Sequence, residues 1–260
     1  MKEKMYKFNI LFLKIRIDVV NILSLMNIMI FPIYILFRLF VMIVTKEIPV
    51  DFLYSEYAFD AYAFVLFLYL HVIAEKMKSI IWSHLFTAIG MLFYANLCAR
   101  FNMYGDFFNS FFLILVFLVS ILTMIENGGA PKPKRIKKTR FTFFAYLGYC
   151  IIFLEFGKIL NDFFDFEGSL FPSYEAVVGI ATLCGVILSN KGYNVKWLFW
   201  SVRNILCIYF WHFIDNRLPV DDTYVFLLIN SVIELIIYVS SENIRMNKKI
   251  HEKSKEKMRE

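Results

Sequence analysis

Apolar residues fall along this chain in long continuous runs, and polar residues collect between them. Eight runs approach the length of a bilayer crossing, at residues 19–44, 57–74, 80–99, 107–125, 141–160, 174–188, 197–214 and 223–240. Hydrocarbon about 30 Å thick takes roughly 20 helical residues to cross. The runs are unbroken rather than alternating, and a barrel strand needs only about ten residues, so the pattern predicts helices. The run at 174–188 is the shortest of the eight. Residues 1–18 are charged and precede an apolar run far longer than the core of a signal peptide, so the first run is expected to remain as a span.

Charge placement orients the spans. The N-terminal tail carries Lys2, Lys4, Lys7, Lys14 and Arg16; the segment 132–140 carries Lys132, Lys134, Arg135, Lys137, Lys138 and Arg140; the C-terminal tail carries seven more basic residues. Four predicted spans separate each of these segments from the next, so all three share one side, which the positive-inside rule makes cytoplasmic. Lys76, Lys78, Lys191 and Lys196 then also face inward, whereas the outward loops hold Asp51, Glu56, Asp106, Asp162, Asp165, Glu167, Asp215, Asp221 and Asp222 against Lys46, Arg100 and Arg217 alone. The expectation is a multi-pass protein of the plasma (inner) membrane with both termini cytoplasmic. Composition agrees: 59% of residues are hydrophobic and 19% charged, with a mean hydropathy of +0.60. The net charge of +6 sits in loops and tails beside anionic lipid, which gives no reason to expect nucleic acid. Cys98, Cys150, Cys184 and Cys207 all fall inside apolar runs without metal or redox spacing and read as small apolar residues.

An offset of 115 residues aligns 59–114 with 174–229. Phe59, Asp60 and Ala61 fall on Tyr174, Glu175 and Ala176; Trp82 falls on Trp197, Tyr94 on Tyr209 and Asp106 on Asp221. The implied organisation is a tail and extra span (1–56), a three-helix unit (57–127), a basic loop and linker span (128–173), a second three-helix unit (174–241) and a basic tail (242–260). Because a single span links two units of three, four spans run from the start of the first unit to the start of the second, so both begin on the same side and the units are parallel, related by an axis along the membrane normal. Parallel repeats around a midplane site are a transporter arrangement.

The seventh run opens with Trp197, Leu198, Phe199, Trp200, Ser201, Val202, Arg203 and Asn204. At roughly 3.6 residues per turn, Trp197, Trp200 and Asn204 share one helix face, offering two aromatic surfaces and an amide that both donates and accepts hydrogen bonds. Such a face suits a flat aromatic ligand with polar edges. Within the last span Asn230 and Glu234 lie one turn apart, and by depth Arg203 is the expected partner of Glu234; charges inside spans usually face the bundle interior or a watery path. Trp82 and Trp211 are expected in an interfacial belt or in packing. Glu155 and Lys158 are expected to pair locally, and Arg38 to snorkel or pair.

With these residues the sequence resembles the PnuC-type vitamin transporters. The resemblance spans residues from about Phe59 to Met246 and rests on Glu175 opening the second unit, the short basic loop at Lys191, the Trp197, Trp200, Asn204 pattern and the three plus one plus three order of spans. It implies a fold similar to the SWEET sugar transporters, carriage of nicotinamide riboside or a related vitamin by facilitated diffusion, and a substrate site on the face of Trp197, Trp200 and Asn204; Asn230 and Glu234, polar residues inside the last span, are further candidates for that site. The chain departs from the family pattern in its extra first span, in few glycines in the final span and in Arg203, whose charge counts against a cationic ligand if it shares the face. Arg203 lies about 100° around the helix from Asn204.

No phosphate loop, GxSxG elbow, HExxH or dinucleotide turn is found, and His71, His84 and His212 stand in separate runs without carboxylates at ligand spacing. No enzyme, cofactor or metal site is expected. The partners implied are a small-molecule vitamin and the bilayer, with a homo-oligomer left open. The rival to a transporter is a non-transporting membrane interaction protein that keeps the scaffold.

Overall fold

The computed structural model describes residues 2–47, 52, 55–128, 172–190, 193, 195–214 and 217–256. These form seven helices: α1 (Lys2–Val44), α2 (Glu56–Lys76), α3 (Ile80–Arg100), α4 (Tyr104–Glu126), α5 (Pro172–Asn190), α6 (Lys196–Ile214) and α7 (Val220–Glu256). Seven of the eight predicted runs coincide with a helix. The eighth, 141–160, lies outside the described residues, as do the basic segment 132–140, Glu155 and Lys158.

Among the described residues, five helices are long and apolar enough to cross a membrane: α1 over Phe8–Val44, α2, α3, α4 over Gly105–Glu126 and α7 over Val220–Glu252. In α5 the side chains are described from Val177 to Ser189, and that stretch is apolar. Lys196, Arg203 and Asn204 interrupt the apolar run of α6, and all three border an interior cavity rather than lipid. A helix that lines a polar space needs less hydrophobic surface.

Tight hairpins set the order of the helices. Three residues join α2 to α3 and three join α3 to α4. In each turn one residue adopts a left-handed conformation, Lys78 at φ 59° and Asn102 at φ 55°. The next amide reaches back to the helix: Ser79 N–H donates to Ala74 O at 2.8 Å and Met103 N–H to Cys98 O at 2.8 Å. This is the hydrogen-bonded termination usually supplied by glycine, here built on lysine and asparagine. At the start of α2 the Ser55 hydroxyl accepts from Ala58 N–H at 3.3 Å, capping the helix.

Helix α3 packs broadly on both α2 and α4, as α6 does on α5 and α7; thinner contacts of α4 with α5 and of α7 with α2 close a ring of six. Helix α1 stands outside the ring, against α7 and, lightly, α2. It runs antiparallel to α7. Tyr6 stacks on His251 with centroids 4.0 Å apart, Phe31 stacks on Phe226 at 4.2 Å, and Arg38 pairs with Asp221 at 3.3 Å and with Asp222. The N- and C-terminal helix ends thus lie at the same end of the molecule. At about 1.5 Å per residue both helices are far longer than the hydrocarbon is thick, so they project beyond it together. The outer face of α1, including Ile22, Met29, Ile33, Leu36 and Phe40, is more than half exposed, a surface fit for lipid.

The proposed sequence repeat aligns residues that differ in environment. Tyr94 is buried whereas Tyr209 is exposed, and Trp82 is exposed whereas Trp197 borders the interior. The residue of α6 that sits with Tyr94 is Trp211, two positions beyond Tyr209 and fully buried. Cys98, Cys184 and Cys207 are buried and form no disulfide, in keeping with their reading as packing residues.

Candidate functional site

The ring encloses a cavity of about 400 Å³, within the size range of small-molecule sites. All five residues selected from the sequence, Trp197, Trp200, Asn204, Asn230 and Glu234, border it. Helix α6 supplies the first three along one face, and α7 the last two one turn apart. Opposite them, α2 brings His71 and Glu75, and α3 brings Ser83, His84 and Thr87.

Close packing against α5 holds the Trp200 ring in place. A Cβ added to Gly185 would lie 2.9 Å from Cε2 of that ring, so the indole rests directly on the backbone. Asn204 donates from Nδ2 to Ser231 Oγ at 3.3 Å, and Asn230 donates to Phe226 O at 2.9 Å. The Oδ1 atoms of both amides are buried with no partner among the described residues. Two acceptors at a buried cavity wall are suited to ligand hydroxyl or amide donors, because a buried polar atom is costly until it is paired.

Ion pairs between the two sets of three helices ring one end of the cavity. Glu75 of α2 accepts from Lys196 of α6 at 3.4 Å, and Lys76 of α2 pairs with Glu234 of α7. The predicted pairing of Glu234 with Arg203 is therefore incorrect. The carboxylate is captured by a lysine from another helix, a contact that depth along α6 and α7 alone does not reveal. Lys196 also lies 4.3 Å from the Trp197 ring centroid, a cation–π contact. Just inside, His71 Nδ1 lies 2.9 Å from both the Ser83 and Thr87 hydroxyls.

The other end of the ring is closed by buried polar groups. Trp211 Nε1–H donates to the Tyr94 hydroxyl at 3.0 Å, which donates to Asp106 Oδ2 at 2.9 Å. Arg203 donates to Thr182 Oγ1 at 2.9 Å and to the Tyr224 hydroxyl at 3.3 Å. Tyr94 and Tyr224 meet edge to face, joining the two sets. Trp211 is thus a packing residue, and Trp82 is exposed. His71, Glu75, Thr87 and Arg203 were not selected from the sequence. His71 and Glu75, four apart where the second apolar run ends, share a helix face, but nothing in the sequence says what that face meets.

The profile of the family described as nicotinamide mononucleotide transporter matches residues 59–240. The chain belongs to this family. The match begins early in α2 and ends within α7, so it takes in the six-helix ring and leaves α1 outside. No curated protein matches the sequence. The crystal structure of the vitamin B3 transporter PnuC aligns with a TM-score of 0.58 at 19% identity, over 87% of this chain and 91% of that one, which shows a shared fold. The relatives are transporters, in agreement with the absence of catalytic motifs noted from the sequence.

Gly185 supplies a direct check on the position of Trp200. Alanine there would put a methyl group inside contact distance of a ring, not of a flexible chain end. Gly185→Ala is expected to push the indole into the cavity and to weaken ligand binding about tenfold, as a shift of about 1.4 kcal/mol would. Titration of the purified variant measures it, and parental affinity would mean that Trp200 does not rest on α5.

Proposed function

We propose that this chain carries nicotinamide riboside or a similar water-soluble vitamin across the membrane by facilitated diffusion. The observation that carries the reading is the convergence of Trp197, Trp200, Asn204, Asn230 and Glu234 on one cavity inside the six-helix ring. The indole of Trp200 offers a face for stacking, the unpaired amide oxygens offer acceptors, and Glu234 and Trp197 stand toward the ion-paired end. A cavity that ends at a buried polar network suits a carrier open to one side at a time. The two broad three-helix assemblies with thin junctions support a three plus one plus three arrangement with SWEET-like parallel units, in which the run at 141–160 is the linker and the eighth span.

Binding to the purified protein tests the function. Nicotinamide riboside at about 100 times its Kd is expected to stabilise the folded state by roughly 2.7 kcal/mol, read as a raised melting temperature. Proteoliposomes should then take it up without ATP or an ion gradient, and no further than equilibrium. Failure of every tested vitamin to bind would favour the interaction-protein reading, whereas uptake only with an imposed ion gradient would replace facilitated diffusion by coupled transport.

Orientation follows the same reading, with the ion-paired cavity end and both termini cytoplasmic. A cysteine replacing Lys46, in a cysteine-free background, is expected to react with an impermeant reagent added outside intact cells; one replacing Lys78 is not. The reverse pattern would invert the topology.

A further inference from the structure

Helix α1 lies over the seam between α2 and α7, one of the two thin junctions of the ring. Phe31 and Ile35 of α1, Val65 and Val72 of α2 and Phe226 of α7 form one buried cluster across that seam. On the α7 side Phe31 stacks on Phe226, Asn27 Nδ2 donates to Phe226 O at 3.5 Å, and the Tyr34 hydroxyl donates to Asp222 at 3.1 Å beside the Arg38 pairs. On the α2 side a proline makes the fastening possible. Pro32 stands inside α1 and has no N–H, so the carbonyl four residues earlier, that of Ile28, loses its helical donor. Inside a bilayer a bare carbonyl is costly, since no water is there to pair it. The Tyr69 hydroxyl of α2 donates to Ile28 O at 3.2 Å and fills the gap.

This joint sits between the two ends of the cavity. Along α7, Phe226 falls between Tyr224, in the closed end, and Glu234, in the ion-paired end. Along α2, Tyr69 falls between Phe64, which packs on Tyr94 and Tyr224, and Glu75. The contacts that cross the cavity are of another kind. Glu75 of α2 with Lys196 of α6 at one end, and Tyr94 of α3 with Trp211 of α6 at the other, each link helices that are not neighbours in the ring. A carrier that opens to one side at a time has to part such crossing contacts in turn by rocking one set of helices against the other. A joint at mid-depth can stay closed throughout.

We infer that α1 is a strap joining the two sets of helices at mid-depth, which makes the α2–α7 seam their pivot. The Glu75–Lys196 and Tyr94–Trp211 contacts open alternately, while the bond from Tyr69 into the Pro32 gap persists. The strap rests on the proposed transport function and goes beyond it in locating where the movement turns.

Uptake of nicotinamide riboside by proteoliposomes tests it, with cysteine pairs placed in the full-length chain on a cysteine-free background and bridged by a membrane-permeant bifunctional thiol reagent. Bridging Phe31→Cys to Tyr69→Cys locks α1 onto α2 and is expected to leave uptake at the rate of the same variant before treatment. Bridging Glu75→Cys to Lys196→Cys locks one cavity end and is expected to reduce uptake to that of empty vesicles. Loss on bridging the strap, or survival on bridging the end, overturns the pivot. A cysteine-free parent that takes up no vitamin overturns the transport reading, and the pivot with it. Single substitutions check the joint without relying on either pair. Tyr69→Phe should lower the melting temperature by about 2 °C in the parent. In Pro32→Ala it should lower it no further, because the restored N–H of residue 32 takes Ile28 O and leaves the hydroxyl redundant. The same drop in both backgrounds, or none in the parent, overturns the joint and the strap with it.

Discussion

Replacing Trp200 or Asn204 with alanine is expected to weaken ligand binding by about 5- to 150-fold, the range set by roughly 1 to 3 kcal/mol for a polar edge left unpaired or a stacking face removed. Both side chains border the cavity. Trp200 rests on Gly185 and so presents a fixed surface. Phe at position 200 should be milder than Ala, because it keeps a smaller aromatic face. For Asn204 the alanine also strips Ser231 Oγ of its amide donor, so Asp is the informative companion: it keeps an acceptor but places a carboxylate near Arg203. Leu198 is exposed and does not border the cavity, and Leu198→Ala should bind as the parent does. Titration of each purified variant, with melting temperature as the check on folding, measures the effect. Parental affinity in both Trp200→Ala and Asn204→Ala would remove this face from the binding site.

Tyr94→Phe is expected to cost about 2 to 4 kcal/mol of stability, more than any other single-atom deletion among the contacts described above. One oxygen serves two neighbours: it accepts from Trp211 Nε1–H and donates to Asp106 Oδ2. Removing it orphans a donor and a carboxylate in a place where Tyr94, Asp106 and Trp211 are all at most 1% exposed. A buried group left unpaired costs about 1 to 3 kcal/mol, more when charged. Hydrogen bonds between membrane helices average only about 0.6 kcal/mol, because other partners are found in the unfolded state, but the sealed position of Asp106 limits that relief. Asp106→Asn keeps an acceptor for Tyr94 and should cost less. Thermal unfolding in detergent checks both. If Tyr94→Phe melts with the parent, the polar network does not hold the closed end of the ring together.

The long apolar runs of α1, α2, α3, α4 and α7 made those helices legible, because a stretch of continuous hydrophobicity at bilayer length is stable chiefly as a helix in lipid. Spacing along one helix was equally informative. Trp197, Trp200 and Asn204 share a face of α6, and Asn230 and Glu234 share one of α7, as helical periodicity requires, so both groups could be chosen before any contact was known.

Contacts between helices were not legible in this way. Glu234 meets Lys76 of α2 and not Arg203 of α6, since pairing depends on which helices become neighbours when the ring closes. For the same reason Gly185 could not be recognised as the seat of Trp200, nor His71 and Glu75 as part of the wall. Tyr94 aligned with Tyr209 by sequence, yet it bonds Trp211, because two positions along a helix turn a side chain by about 200° and so from the outer surface to the interior. A helix's period is written in its own residues. Which side chains face one another across the ring depends on how six helices pack, and only the folded arrangement decides that.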